Sequence, residues 1–274
     1  RDEEILNDVL TSDASVEVGI KSGKLNASGS FEFEDFHKKQ SQPQMEEFLF
    51  GGDTYVYDRN ENDIRLHLTT PSWATNIDYA FNDKHIAGVG YDGNNTTWQA
   101  PGDGMVIYSK NNQIFQRTQV ISDYKNVVRY NHVNTFYNAK WNDRLSTTLN
   151  IDYAGNSSDY SQSTNEITDG QAKSSLNKSI SKYDIYAGKL TFDYNIGKKA
   201  ALSWGLEYNR VVGDGASSCN NGIIPSSDFR QKENKTAAYI EANTSFGNWT
   251  LDAGLRYEDV ESGYNDVYMP EANV

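Results

Sequence analysis

Lys24-Leu25-Asn26-Ala27-Ser28-Gly29-Ser30-Phe31-Glu32-Phe33-Glu34-Asp35 alternates without a break. Leu25, Ala27, Gly29, Phe31 and Phe33 fall on one side of an extended chain, and Asn26, Ser28, Ser30, Glu32 and Glu34 on the other. Period 2 is the signature of a strand lying between two different media. Upstream, Val16, Val18 and Ile20 alternate with Glu17, Gly19 and Lys21, and Ser22-Gly23 between the two runs reads as a hairpin turn.

The same grammar recurs to the end of the chain. Ile64, Leu66 and Leu68, then Ile77, Tyr79 and Phe81, precede the turn Asn82-Asp83-Lys84 and the run Val89, Tyr91. Tyr137, Ala139 and Trp141 lead through Asn142-Asp143-Arg144 to Leu149, Ile151 and Tyr153. Leu190, Phe192 and Tyr194 lead through Gly197-Lys198-Lys199 to Leu202, Trp204, Leu206 and Tyr208. Ala238, Ile240, Ala242 and Phe246 lead through Gly247-Asn248 to Leu251, Ala253, Leu255 and Tyr257. The pattern predicts an all-β antiparallel meander of about ten strands in five hairpins. Short helical turns are expected at most at Asp2 to Val9 and near Met45 to Leu49, and residues 1–14 are expected to be irregular.

Between the hairpins lie polar stretches, near 35–63, 92–126, 155–182 and 212–234, that are expected to be long loops. Short turns at one end and long loops at the other are the rule in outer-membrane barrels and rare in compact soluble domains. Tyr, Trp and Phe near the turns (Phe81, Trp141, Tyr194, Phe246, Trp249) suit an aromatic girdle. Charges in mid-strand (Glu32, Arg65, Glu207, Asp252, Arg256, Glu258) suit a wet lumen. The expectation is therefore one segment of a transmembrane β-barrel over 1–274. The alternatives are a soluble, secreted β-sandwich that binds carbohydrate, and a barrel with enzymatic activity.

Composition narrows the partners. The 274 residues carry 38 acidic and 25 basic side chains, a formal net charge of -13. Nucleic acid is therefore not an expected partner, because phosphate binding needs a basic stripe. A single cysteine, Cys219, excludes an internal disulfide and a cysteine-based zinc site. His37, His67, His85 and His132 are scattered, so no metal site is expected from their spacing. Asp58-x-Asn60-x-Asn62 begins like a calcium loop, but Asp63 replaces the needed Gly and Thr69 the closing Glu. Gly102-Asp103-Gly104 and Gly213-Asp214-Gly215 read as loop punctuation. Glu207 and Asp252 could form a hydrolytic pair, but a charged lining is the simpler reading. No catalytic residue and no cofactor is expected. Loop aromatics such as Trp98, Tyr108, Phe115 and Tyr160 could stack on a ligand or pack the loops against themselves, so no ligand-binding residue is assigned.

The second half carries a resemblance. Asp184-Ile185-Tyr186-Ala187-Gly188-Lys189-Leu190-Thr191-Phe192-Asp193-Tyr194, Leu202-Ser203-Trp204-Gly205-Leu206-Glu207-Tyr208 and Gly247-Asn248-Trp249-Thr250-Leu251-Asp252-Ala253-Gly254-Leu255-Arg256-Tyr257-Glu258 resemble the barrel of TonB-dependent outer-membrane receptors. The Bacteroidetes-type outer-membrane β-barrel family is the nearest type. The resemblance implies a barrel of about 22 strands plugged by an N-terminal domain. It also implies outer-membrane lipid around the wall, a TonB-type energy-coupling protein acting through the plug, and a small solute ligand of unknown identity. The chain shows no TonB box or plug, and its end, Met269-Pro270-Glu271-Ala272-Asn273-Val274, reads as a cut from something longer.

An open array of about ten such strands exposes two edges and an apolar face. In detergent-free buffer this chain is expected to associate, and a sharp monomer peak in size-exclusion chromatography would count against the barrel reading.

Overall fold

The computed structural model describes residues 9–197, 199–220 and 225–269. They form one antiparallel sheet of ten strands in chain order, β1 Val9–Ser22, β2 Leu25–Phe50, β3 Asp53–Asn82, β4 His85–Lys110, β5 Gln113–Lys140, β6 Leu145–Thr168, β7 Gln171–Ile196, β8 Ala200–Cys219, β9 Ser226–Phe246 and β10 Trp249–Met269. The meander of five hairpins expected from the alternation is therefore present. Among the described residues no second layer covers the sheet, so the sandwich alternative falls.

The linkers differ from expectation. Residues 35–63, 92–126 and 155–182 are not loops but the far halves of paired strands, closed by tight turns. At those turns Gly51-Gly52, Asn111-Asn112 and Asp169-Gly170 each have both central residues at positive φ. That is the type I′ geometry whose twist matches the flanking strands, and it selects Gly, Asn and Asp. The fourth stretch, 212–234, is ladder up to Cys219 and again from Ser226. Gly102 and Gly104 sit inside β4, and Gly213 and Gly215 inside β8, so they are not loop punctuation. Residues 45–49 are strand, not helical turn, and 9–14 belong to β1; the expected turn over 2–8 lies outside the described residues.

At the opposite end the turns keep their expected chemistry. Asn82 Oδ1 accepts a hydrogen bond from the Lys84 amide at 2.8 Å, and Asn142 Oδ1 accepts from the amides of Arg144 and Leu145 at 2.9 and 3.0 Å. Asn is favoured there because its side chain completes a turn two residues on.

Two rungs decide what the faces are for. Cross-strand partners share a face. One unbroken line of partners runs Ser22, Leu25, Tyr79, Ala87, Tyr137, Leu149, Leu190, Leu206, Ala238, Tyr257. Its neighbour on the other face runs Lys21, Asn26, Asp78, Gly88, Phe136, Asn150, Lys189, Glu207, Ala237, Glu258. The first is apolar or tyrosyl across nine strands, whereas the second is mostly charged or amide-bearing. Large side chains of the apolar face stay uncovered: Leu206, Leu251 and Leu255 are 58%, 56% and 74% exposed. A soluble sheet would bury them; a lipid-facing wall leaves them for acyl chains.

The rung also measures tilt. It leaves β1 at Ser22, beside the turn, and reaches β10 at Tyr257, eight residues beyond the strand's start at Trp249. With about 3.3 Å per residue and 4.8 Å between strands, that stagger corresponds to a tilt of roughly 30°. Tilt and stagger of this kind are what closing a sheet into a barrel requires.

Apolar residues do not keep to one face along the whole strand. In β3, Trp73, Ile77 and Tyr79 share the apolar face, but Ile64, Leu66 and Leu68 fall on the opposite one. Arg65, expected in the lumen, is on the apolar side but beyond the apolar band. The band spans about the nine residues from Trp249 to Tyr257 in β10, close to the 9–11 that a tilted spanning strand needs. β2 to β7 have 24 to 30 residues each, so they continue far past it. Beyond the band both faces are wet, and apolar side chains turn inward: Ile64, Ala100, Val106 and Val120 are among the most buried residues.

The face assignment has a direct test in the full-length protein. Leu206→Arg, in the band, is expected to cost about 2–4 kcal/mol. Ala216→Arg, on the same face beyond the band, is expected to cost less than about 0.5 kcal/mol. Denaturant unfolding from liposomes measures both, and equal costs would refute the lipid-facing assignment.

Candidate functional site, the charged inner wall

On the polar face, at the height of the band, β7 to β10 carry a connected set of charges. Glu207 is the hub. It accepts from Lys189 Nζ at 2.8 Å and from Arg256 Nη2 at 2.6 Å. Arg256 also reaches Glu258, which is held by Lys235 at 3.1 Å. Tyr239 lies under both cations, with Lys189 Nζ 5.3 Å and the Arg256 guanidinium carbon 5.9 Å from its ring centre. Its hydroxyl is 2.8 Å from Thr191 Oγ1.

Local sequence builds this cluster. Alternation places residues 207, 239, 256 and 258 on one face. Gly205 leaves room for Tyr239, its direct partner: a Cβ there would come within 2.7 Å of the Tyr239 hydroxyl and 2.5 Å of the Leu190 carbonyl oxygen. A second inner cluster ties three strands together. His132 Nδ1 is 2.9 Å from Asp92 and its Nε2 is 3.3 Å from Asp152, which also accepts from the Asn134 amide at 2.6 Å.

Of the six charges expected in a lumen, Glu207, Arg256 and Glu258 are brought together, but not as a dyad; Glu32 stands apart on β2 and Arg65 is on the other face. Glu207 bonds to two cations while Asp252 bonds to Asn243, so the pair suggested for hydrolysis is not assembled. The aromatic residues of the former loops stand on the inner wall beyond the band. Trp98 lies 6.4 Å from Tyr124, and Tyr108 lies 5.4 Å from Tyr57 and 6.2 Å from Phe115. Tyr160 donates to Gln162 at 3.1 Å. Asp58 and Asn60 are strand residues paired with Ile107 and Met105, not a cation loop.

A tyrosine girdle at the far edge of the band is the feature that spacing alone did not reveal. Tyr91, Tyr153, Tyr186, Tyr208 and Tyr257 all lie on the apolar face. The Tyr91 hydroxyl donates to Asn131 at 2.8 Å, and that of Tyr153 to Asp184 at 2.7 Å. A ring in acyl chains with its hydroxyl in a polar row marks a membrane–water boundary. The signal was available, since each tyrosine closes an apolar alternating run. Farther out, at the strand tips, Lys110 and then the Asn111 amide hold the Asp53 carboxyl below its ordinary pKa. That contact is complete at neutral pH and is lost as pH falls through the lowered value.

Residues 139–273 match the model of the outer membrane protein beta-barrel family. No curated protein matches the chain. Among solved structures it is similar to FpvA of P. aeruginosa bound to heterologous pyoverdines, at 9% identity and a TM-score of 0.30 over 94% of this chain and 56% of that one. It is also similar to the toluene transporter TodX of Pseudomonas putida, at 9% identity and a TM-score of 0.22, covering 94% and 88% of the two chains. A third is BauA, the ferric preacinetobactin receptor of Acinetobacter baumannii, at 8% identity and 0.17, covering 96% and 73%. The chain spans 56% of the length of FpvA. Band, girdle, tilt and family match together define an outer-membrane β-barrel wall. Its place is the bacterial outer membrane.

A double-mutant cycle on Glu207→Gln and Arg256→Gln is expected to give a favourable coupling that shrinks as salt rises. Denaturant unfolding of the full-length protein measures it. A coupling of zero would mean that the two side chains project into water independently.

Proposed function

We propose that this chain is a wall segment of a TonB-dependent outer-membrane receptor, non-enzymatic, that binds and imports a scarce solute. The solute class is a metal chelate, vitamin, glycan or peptide. The observation that carries the reading is the height of the wall combined with its incompleteness. Strands of 24 to 30 residues rise well past a band that needs about 9 to 11. β1 and β10 are not paired with each other, so further strands are required to close the ring.

A tall vestibule in front of the membrane serves capture, because it holds a solute before a gate opens. Its inner wall offers apolar and aromatic groups beyond the band on β2 to β5, Phe36, Leu68, Trp98 and Tyr124, and the charged cluster of Glu207, Arg256 and Glu258 at the height of the band on β8 and β10. The sequence Gly254-Leu255-Arg256-Tyr257-Glu258 supports the Bacteroidetes-type receptor in particular. In this reading the plug and the site for the TonB-type partner lie outside this chain, and lipid surrounds the band.

The test is uptake by cells carrying the full-length gene, with candidate solutes supplied one at a time. Deletion is expected to abolish high-affinity uptake of one solute, and so is collapse of the proton-motive force. Uptake that survives the collapse would make the protein a passive pore.

A further inference from the structure

We propose that Asp35, His37 and His67 form a binding site for a first-row transition-metal cation of the Zn2+ class on the outer surface of the wall. His37 and His67 are direct cross-strand partners on β2 and β3, and Asp35 shares their face two residues before His37. The two imidazoles stack with ring centres 4.0 Å apart and planes 13° apart. Both Nε2 atoms aim at the same carboxylate, at 3.2 Å for His37 and 2.7 Å for His67. All three ligand atoms lie within 4.8 Å of one another. One cation can take the place of the two protons that now bridge rings and carboxylate, and a water completes four-coordination.

This arrangement differs from that of the other histidines. His132 spends both nitrogens on carboxylates of separate strands, and His85 is engaged by Tyr137. The three groups of the site are between 29% and 45% exposed, so a cation has access. Two imidazole nitrogens and a single carboxylate make a donor set too poor in oxygen for a hard cation such as Ca2+. Imidazole nitrogen selects zinc, copper or nickel instead. The site looks outward, just past Phe33 and Pro71 at the rim of the band, away from the inner wall. It is therefore independent of the uptake reading.

Titration calorimetry of the tag-free, full-length protein in detergent with ZnCl2 alone tests the site. One equivalent is expected to bind with a micromolar Kd. The pair His37→Ala and His67→Ala is expected to weaken binding at least about tenfold, while His85→Ala leaves it unchanged. Absence of binding at millimolar Zn2+, or equal binding by the double variant, would overturn the proposal. His67→Cys with Co2+ gives a reading that does not depend on loss: a thiolate-to-cobalt charge-transfer band is expected in the near ultraviolet. Cys219 is buried at the end of β8, so a band that appears reports the introduced thiolate; a missing band counts against the site.

Discussion

The ladder of backbone hydrogen bonds is the constraint on which the rest depends. Within hydrocarbon no water can satisfy an amide or carbonyl, so each must be paired inside the protein. A continuous meander does this with the fewest connections: every strand from β2 to β9 is paired on both sides. Once the ladder is imposed, side chains have only two directions, and the medium on each side selects among them. This is why one rung can be apolar across nine strands while the next, a single residue away, carries Lys189, Glu207 and Glu258.

The wall changes its chemistry with height because its surroundings change. Along β3 the apolar set moves from the side of Trp73 and Ile77 to the side of Leu68, Leu66 and Ile64. The switch falls at Thr69 and Thr70, where neither face needs to be greasy. The tyrosine girdle lies nearer the short turns than this switch, since Tyr91 pairs with Thr75, and the hydroxyls of Tyr91 and Tyr153 are turned toward the polar row above them. Charge clusters on the inner side are affordable in that setting, since a hydrated lumen leaves Glu207 and Arg256 partly solvated while they fix the register of β7 to β10.

Much of the fold was legible in order and type: all-β, antiparallel, ten strands in five hairpins. The extent of the strands was not. Polar sequences such as Asn156-Ser157-Ser158 have no strong strand signal, yet they are ladder because their neighbours are. Asp169-Gly170 was the readable sign, a type I′ turn signal in a stretch taken for loop. The inner charges were legible as a class, but the pairing of Glu207 with Arg256 was not, because 49 positions separate them. Likewise His37 and His67 carry no spacing motif; only the register makes them neighbours.

Alternation is a local property, so the chain alone determined that its strands have one face for oil and one for water and that short turns join them in pairs. Register is not local. It decided how far the strands run, how steeply the wall leans, where the apolar face reverses, and which distant charges and imidazoles meet. A slip of one residue would leave the alternation intact and move every side chain to the other medium.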